Sequence, residues 1–94
     1  MVHPVKLLED ICFTHMLQSE KDGKFYVGFA QDLKQRFDQH QKGQVDSTKD
    51  RRPFKLIYYE SCIDRNDATK REKYFKSYHG RMFLKKRLKS YLTG

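Results

Sequence analysis

Residues 24–40 read KFYVGFAQDLKQRFDQH, and the reading of that stretch decides the fold. Phe25, Tyr26, Val27 and Gly28 open it with alternating large and small residues, the period-2 signature of a short strand. A helix over 33–41 follows at once. Asp32 stands where an N-cap belongs, Gln35 three residues later completes a capping-box pattern, and Leu33 and Phe37 supply an apolar stripe at i, i+4. Arg36 and His40, also four apart, fall on that same side, so a guanidinium and an imidazole are presented together. Tyr26 enters the same neighbourhood from the strand. A phenol, a guanidinium and an imidazole converging beside a strand-to-helix turn suit the gripping and cleaving of a phosphodiester.

Upstream, residues 11–17 (ICFTHML) form a first strand whose alternation puts Cys12, Thr14 and Met16 on one face and Phe13, His15 and Leu17 on the other. Asp22-Gly23 lies between the two strand-like runs, a strong hairpin signal, so the two strands are expected to pair antiparallel. His15 and Tyr26 then lie on neighbouring strands, within reach of one site. Downstream, residues 42–53 are a polar, basic loop that Gly43 opens and Pro53 closes. Its Lys49, Arg51 and Arg52 either contact backbone phosphates or stay solvated.

The run 54–61 (FKLIYYES) is the most apolar strand, expected at the centre of the sheet. A second helix, capped by Asp64 or Asn66, is expected to run to about Tyr78 with Ala68, Phe75 and Tyr78 inward. Glu72, four beyond Ala68 and three before Phe75, lies at the edge of that apolar stripe, where a carboxylate requires a cation. Either a neighbouring Lys or Arg or a metal ion supplies it; a single carboxylate can hold Mg²⁺ when water and phosphate oxygens complete the octahedron. A final helix over 81–92 sets Leu84, Leu88, Tyr91 and Leu92 against an outer face of Lys85, Lys86, Arg87 and Lys89.

With 94 residues the chain holds one core and one domain, read as residues 11–94 behind a leader at 1–10. The 20 Lys and Arg outnumber 12 Asp and Glu, for a net charge of +8. The excess is uneven: residues 1–48 carry 6 basic and 7 acidic side chains, residues 49–94 carry 14 and 5. A polyanion is the natural partner of such a half. Cys12 and Cys62 form no CxxC pair and read as small core hydrophobes in a reducing compartment. No apolar run approaches the roughly 20 residues needed to cross a bilayer, so a cytoplasmic protein with no membrane partner is expected.

In order, strand FTHML, turn EKDGK, strand FYVG, helix DLKQRFDQH, loop STKDRRP, strand FKLIYYE and helix ATKREKYFK resemble the GIY-YIG nuclease superfamily, specifically its small stand-alone bacterial members, over about residues 13–91. YVG alone is a weak motif. The ordered series of Tyr26, Arg36 ten later, His40 four beyond and Glu72 on the second helix is specific. The resemblance implies an α+β fold, a three-stranded antiparallel sheet flanked by helices, acting as an endonuclease on DNA with one divalent metal, Mg²⁺ or Mn²⁺, and no small-molecule cofactor. A role in DNA repair or processing goes with it. It makes Glu72 the metal ligand, Arg36 the phosphate-binding arginine, Tyr26 the tyrosine of the second motif and His40 a helix histidine found in many members. Lys24, Lys49, Arg51, Arg52, Lys70, Arg71 and Lys73 are the nucleic-acid contacts that accompany this reading.

The departure lies in the first motif, where His15 holds the position usually given to a tyrosine. An imidazole, with an ordinary pKa near ~6.5 against ~10 for a phenol, is suited to act as the base, and the cleavage rate is then expected to rise through roughly pH 6–7. The alternatives are a histidine hydrogen-bonded within the sheet and a module that binds nucleic acid without cutting it. A protein-interaction module presenting Tyr58-Tyr59 and Tyr74-Phe75 is a third reading. With no attached DNA-reading domain in 94 residues, phosphate contacts are expected to dominate and single-stranded or structured DNA to be preferred over a recognition sequence.

Overall fold

The computed structural model describes residues 10–94; the leader expected at 1–10 falls, up to residue 9, outside them. Three strands, β1 (Cys12–Ser19), β2 (Phe25–Ala30) and β3 (Phe54–Cys62), form one antiparallel sheet in the order β2-β1-β3. Four helices lie wholly among the described residues: α1 (Leu33–Gln41), α2 (Arg65–Phe75), α3 (Tyr78–Arg87) and α4 (Lys89–Thr93). The α+β architecture expected from the sequence is the one observed.

The hairpin between β1 and β2 is closed by Ser19 and Lys24, with the Ser19 N–H donating to Lys24 O at 2.9 Å and the Gly23 N–H to Ser19 O at 2.9 Å. Gly23 takes φ +73°, a left-handed conformation that glycine adopts without a Cβ penalty. Ser19 also donates through its hydroxyl to Arg51 O at 2.6 Å, which ties the hairpin tip to the basic loop. That loop contains a short 3-10 turn, Lys49–Arg51. Gln41, at the end of α1, donates through Nε2 to Phe54 O and accepts from the Phe54 N–H, at 3.0 and 2.7 Å. Its side-chain amide thus continues the ladder where β3 begins.

The centre of the sheet is β1, not the more apolar β3. Burial rather than apolar content decides this: six of the eight residues of β1 are buried, against one of the nine in β3. The polar Thr14 is accommodated there because its hydroxyl donates to Ala68 O on α2 at 2.9 Å. The strand register also sets Cys12 directly opposite Cys62, both as free thiols.

Alternation along β1 divides the molecule into two layers. Met16, with Val27, Phe75 and Leu84, forms the core beneath α2 and α3, and Phe25, Ile57, Tyr58 and Leu88 pack around it. His15 points the other way, towards His40 on α1. Helix α2 ends at Phe75, earlier than expected, and Tyr78 is 71% exposed rather than inward. Ser77 causes the break: its hydroxyl donates to Tyr74 O at 2.6 Å and accepts from the Gly80 N–H at 3.2 Å, capping α3. The single helix expected over 81–92 is accordingly α3, beginning at Tyr78, followed by α4.

Candidate active site

Helix α1 has the boundaries its sequence dictates, with the Asp32 carboxylate accepting from the Gln35 N–H at 2.9 Å. Its last turn carries His40 into the interior, where the ring is 0% exposed. From β1 comes His15, 1% exposed, and from β2 comes the half-buried Tyr26. Ring centroids lie 4.9 Å apart for Tyr26 and His40, 6.2 Å for His15 and His40, and 6.5 Å for His15 and Tyr26. Gly28, directly opposite His15 in the ladder, makes room for the group: a Cβ there would sit 2.8 Å from His15 Nε2 and 3.0 Å from Tyr26 Cε2.

Burial favours the neutral form of both imidazoles. The pKa of His15 is lowered to about 4 by burial, then by the repulsion a protonated His40 would exert and by the charge of Arg36. Burial, with Arg36 adding to it, also brings His40 down to about 4. Arg36, one turn before His40, donates to Gln39 Oε1 at 3.2 Å. His40 Nδ1 meets Thr48 Oγ1 at 2.8 Å. Its Nε2 and both ring nitrogens of His15 have no hydrogen-bond partner among the described residues.

Two expectations about His15 change. Hydrogen bonds within the sheet do not satisfy it, and its titration falls near 4 rather than between 6 and 7. Being sealed, its ring does not meet solvent, whereas Tyr26 does. Thr48 is the residue that sequence reasoning missed: a threonine in a polar loop carries no sign that it is fully buried against an imidazole.

Glu72 lies in the other layer, on α2, with its carboxylate 24% exposed and 3.1 Å from Lys76 Nζ. The lysine half of the cation alternative is therefore met one turn away. Among the basic residues, Arg71 is engaged inside the fold. Its Nε and Nη2 donate to the two carboxylate oxygens of Glu60, at 3.0 and 2.7 Å, and its guanidinium lies 4.5 Å from the Phe75 ring centre, while the side chain stays 39% exposed. Arg51 pairs with Asp22 at 3.1 Å, and Arg52 Nε donates to Lys49 O at 2.7 Å. Lys24, Lys49, Lys70 and Lys73 are exposed.

The model of the GIY-YIG catalytic domain matches residues 11–89. The chain belongs to that family. Among its relatives, the UPF0213 protein of Staphylococcus saprophyticus is 39% identical over 66 residues, 69% of this chain and 80% of the relative. That of Staphylococcus aureus strain Mu50 is 41% identical over 58 residues, 61% of this chain and 71% of its own. The solution NMR structure of the UPF0213 protein BH0048 from Bacillus halodurans superimposes with a TM-score of 0.50 at 25% identity, covering 79% of this chain and 81% of that one. The GIY-YIG superfamily is one of nucleases, and the polyanion partner read from the charge is consistent with membership. No helix among the described residues is long and apolar enough to cross a membrane.

A divalent metal in a GIY-YIG site of this composition would rest on Glu72. No group of three His, Cys, Asp or Glu that could hold a metal occurs among the described residues. The donor chemistry fits nevertheless: Glu72 offers hard carboxylate oxygens, one of them without a protein partner among the described residues, and an ion such as Mg²⁺ retains several waters in place of further side chains.

Proposed function

We propose that this protein is a metal-dependent endonuclease that hydrolyses phosphodiester bonds of DNA, single-stranded or structured, with little sequence specificity, in repair or processing. The observation that carries the reading is the convergence of Tyr26, His40 and His15 within 6.5 Å beside Arg36. In this mechanism Arg36 binds the scissile phosphate and offsets the charge that develops on it in the transition state. Tyr26, the solvent-facing member of the trio, orients the attacking water. Its proton passes towards the imidazoles behind the phenol, each of which is neutral at working pH, its pKa lowered to about 4, and so keeps one unprotonated ring nitrogen able to accept it. Glu72 would hold the metal, which when bound would supply Lewis-acid stabilisation of phosphoryl oxygens. Lys24, Lys49, Arg52, Lys70 and Lys73 add salt-dependent attraction to the backbone.

One observation favours a second reading: His15, in the first-motif position, is sealed from solvent, as a binding module that has lost turnover would permit. The separating experiment is cleavage of labelled single-stranded, duplex and branched DNA and of RNA, with Mg²⁺, Mn²⁺ or EDTA, beside Arg36→Ala and Glu72→Ala. Cutting that requires metal and falls by about 100-fold or more in both variants is expected. Glu72→Ala should retain its binding in EDTA. Binding of every substrate with cutting of none would establish the non-catalytic module.

A further inference from the structure

On the face of the sheet opposite the histidines, a half-open cleft of about 610 Å³ runs along β2 and under α3 and α4. Its accessible floor is apolar, made by the half-buried Phe25 and Leu88 and by Leu92 over the sealed core of Phe75 and Leu84. Phe25 and Val27 form the β2 side. Around it stand four cations, Lys24, Lys76, Arg81 and Lys85. Of these, Lys76 alone has an ion-pair partner among the described residues, and that partner is Glu72. Tyr26 also lines the cleft, so cleft and histidine cluster adjoin at the edge strand.

We infer that this cleft takes an unpaired nucleotide of a DNA strand, its base against the apolar floor and its flanking phosphates on Lys24, Arg81 and Lys85. The choice of ligand rests on the nuclease reading; the form of the ligand rests on the cleft. An apolar floor alone attracts many partners, and a ring of unpaired cations alone attracts any polyanion. Their combination matches a ligand with a flat apolar face within a few ångströms of negative charge, and a base exposed by the absence of a pairing partner has both. The volume lies within the range of sites that enclose small organic groups. Duplex DNA has the denser phosphate charge, yet it keeps its bases stacked and offers the floor nothing.

The test is binding, in EDTA and at fixed salt, of three fluorescent DNAs of one length: a single strand, a single strand in which tetrahydrofuran abasic sites replace the nucleotides, and a duplex. The expected result is that the intact strand binds about tenfold or more tightly than the abasic strand, and more tightly than the duplex. Arg81→Glu with Lys85→Glu, both exposed positions, should abolish that preference while the circular dichroism spectrum stays unchanged. Abasic and intact strands binding alike, a duplex binding as well as the single strand, or a preference that survives the double variant would each overturn the inference. Base-dependent binding with no cutting in Mg²⁺ or Mn²⁺ would refute the nuclease reading and leave the cleft standing. Cutting without base-dependent binding would do the reverse.

Discussion

Lowering the pH from 7 to 5 should destabilise this protein by an amount set by two residues. His15 and His40 are 1% and 0% exposed, and both have pKa values brought down from 6.5 to about 4. In the unfolded chain each imidazole returns to its ordinary value. As the pH falls below about 6.5 the unfolded state takes up protons that the folded state refuses, so stability is full above that value and declines as the pH approaches 4. One pKa unit corresponds to about 1.4 kcal/mol, so by pH 5 each histidine withdraws roughly 2 kcal/mol and the pair about 4 kcal/mol. Against the 5–15 kcal/mol typical of a folded domain that is a large fraction, roughly a quarter or more. Urea unfolding at pH 7 and 5 measures it directly. His15→Leu, which keeps the bulk and removes the titrating group, should lose about 2 kcal/mol less than the wild type over the same interval. Equal unfolding midpoints at the two pH values, or a His15→Leu variant with the full wild-type loss, would refute the assignment of neutral buried imidazoles.

Two further substitutions probe how the cluster is held. Gly28→Ala places a Cβ 2.8 Å from His15 Nε2, a degree of overpacking that costs about 1–3 kcal/mol; combined with His15→Ala it should cost less than the sum of the two single changes, and strictly additive urea-unfolding energies would show that the two residues do not press on each other. Thr48→Val keeps the shape but leaves His40 Nδ1 without its partner, so thermal or urea unfolding should show a loss of about 1–3 kcal/mol that Thr48→Ser largely restores.

The parts of the fold legible in the sequence are those decided within a few residues. Asp32 caps α1, Asp22-Gly23 turns the hairpin, and Asp64 accepts from the Asp67 N–H at 3.1 Å to start α2. Each is a local competition that one side chain wins. The misread elements were decided at longer range or by two competing local signals. FKLIYYES looks central because it is apolar, but β3 has a neighbour on one side only and leaves Tyr59 53% exposed. Ser77 lies in a run whose lysines and aromatics continue the helical period, and nothing nearby announces that its hydroxyl will take the Tyr74 carbonyl. Nothing near Arg71 shows that Glu60, eleven residues earlier, engages its Nε and Nη2. The grouping of Tyr26 and His40 was readable from helical spacing and hairpin register. Their depth was not, because Phe54, with its ring 5.9 Å from His40, arrives from the far end of the basic loop.

The two-layer arrangement bears on how Glu72 and Arg36 would share one substrate. They belong to helices on opposite faces of the sheet, an awkward separation for residues acting on a single phosphate. The strand that carries Tyr26, β2, is a sheet edge. Alternation along β2 sends Tyr26 towards His40 in one layer and Val27 towards Phe75 in the other. Lys76, bound to Glu72, lines the same cleft as Tyr26. On the proposed function, a strand of nucleic acid lying across this edge, rather than on either face, would meet both the α1 group and the α2 group. A sheet interior would present only one of the two layers, so the edge position of β2 is what makes a site built from both layers geometrically available.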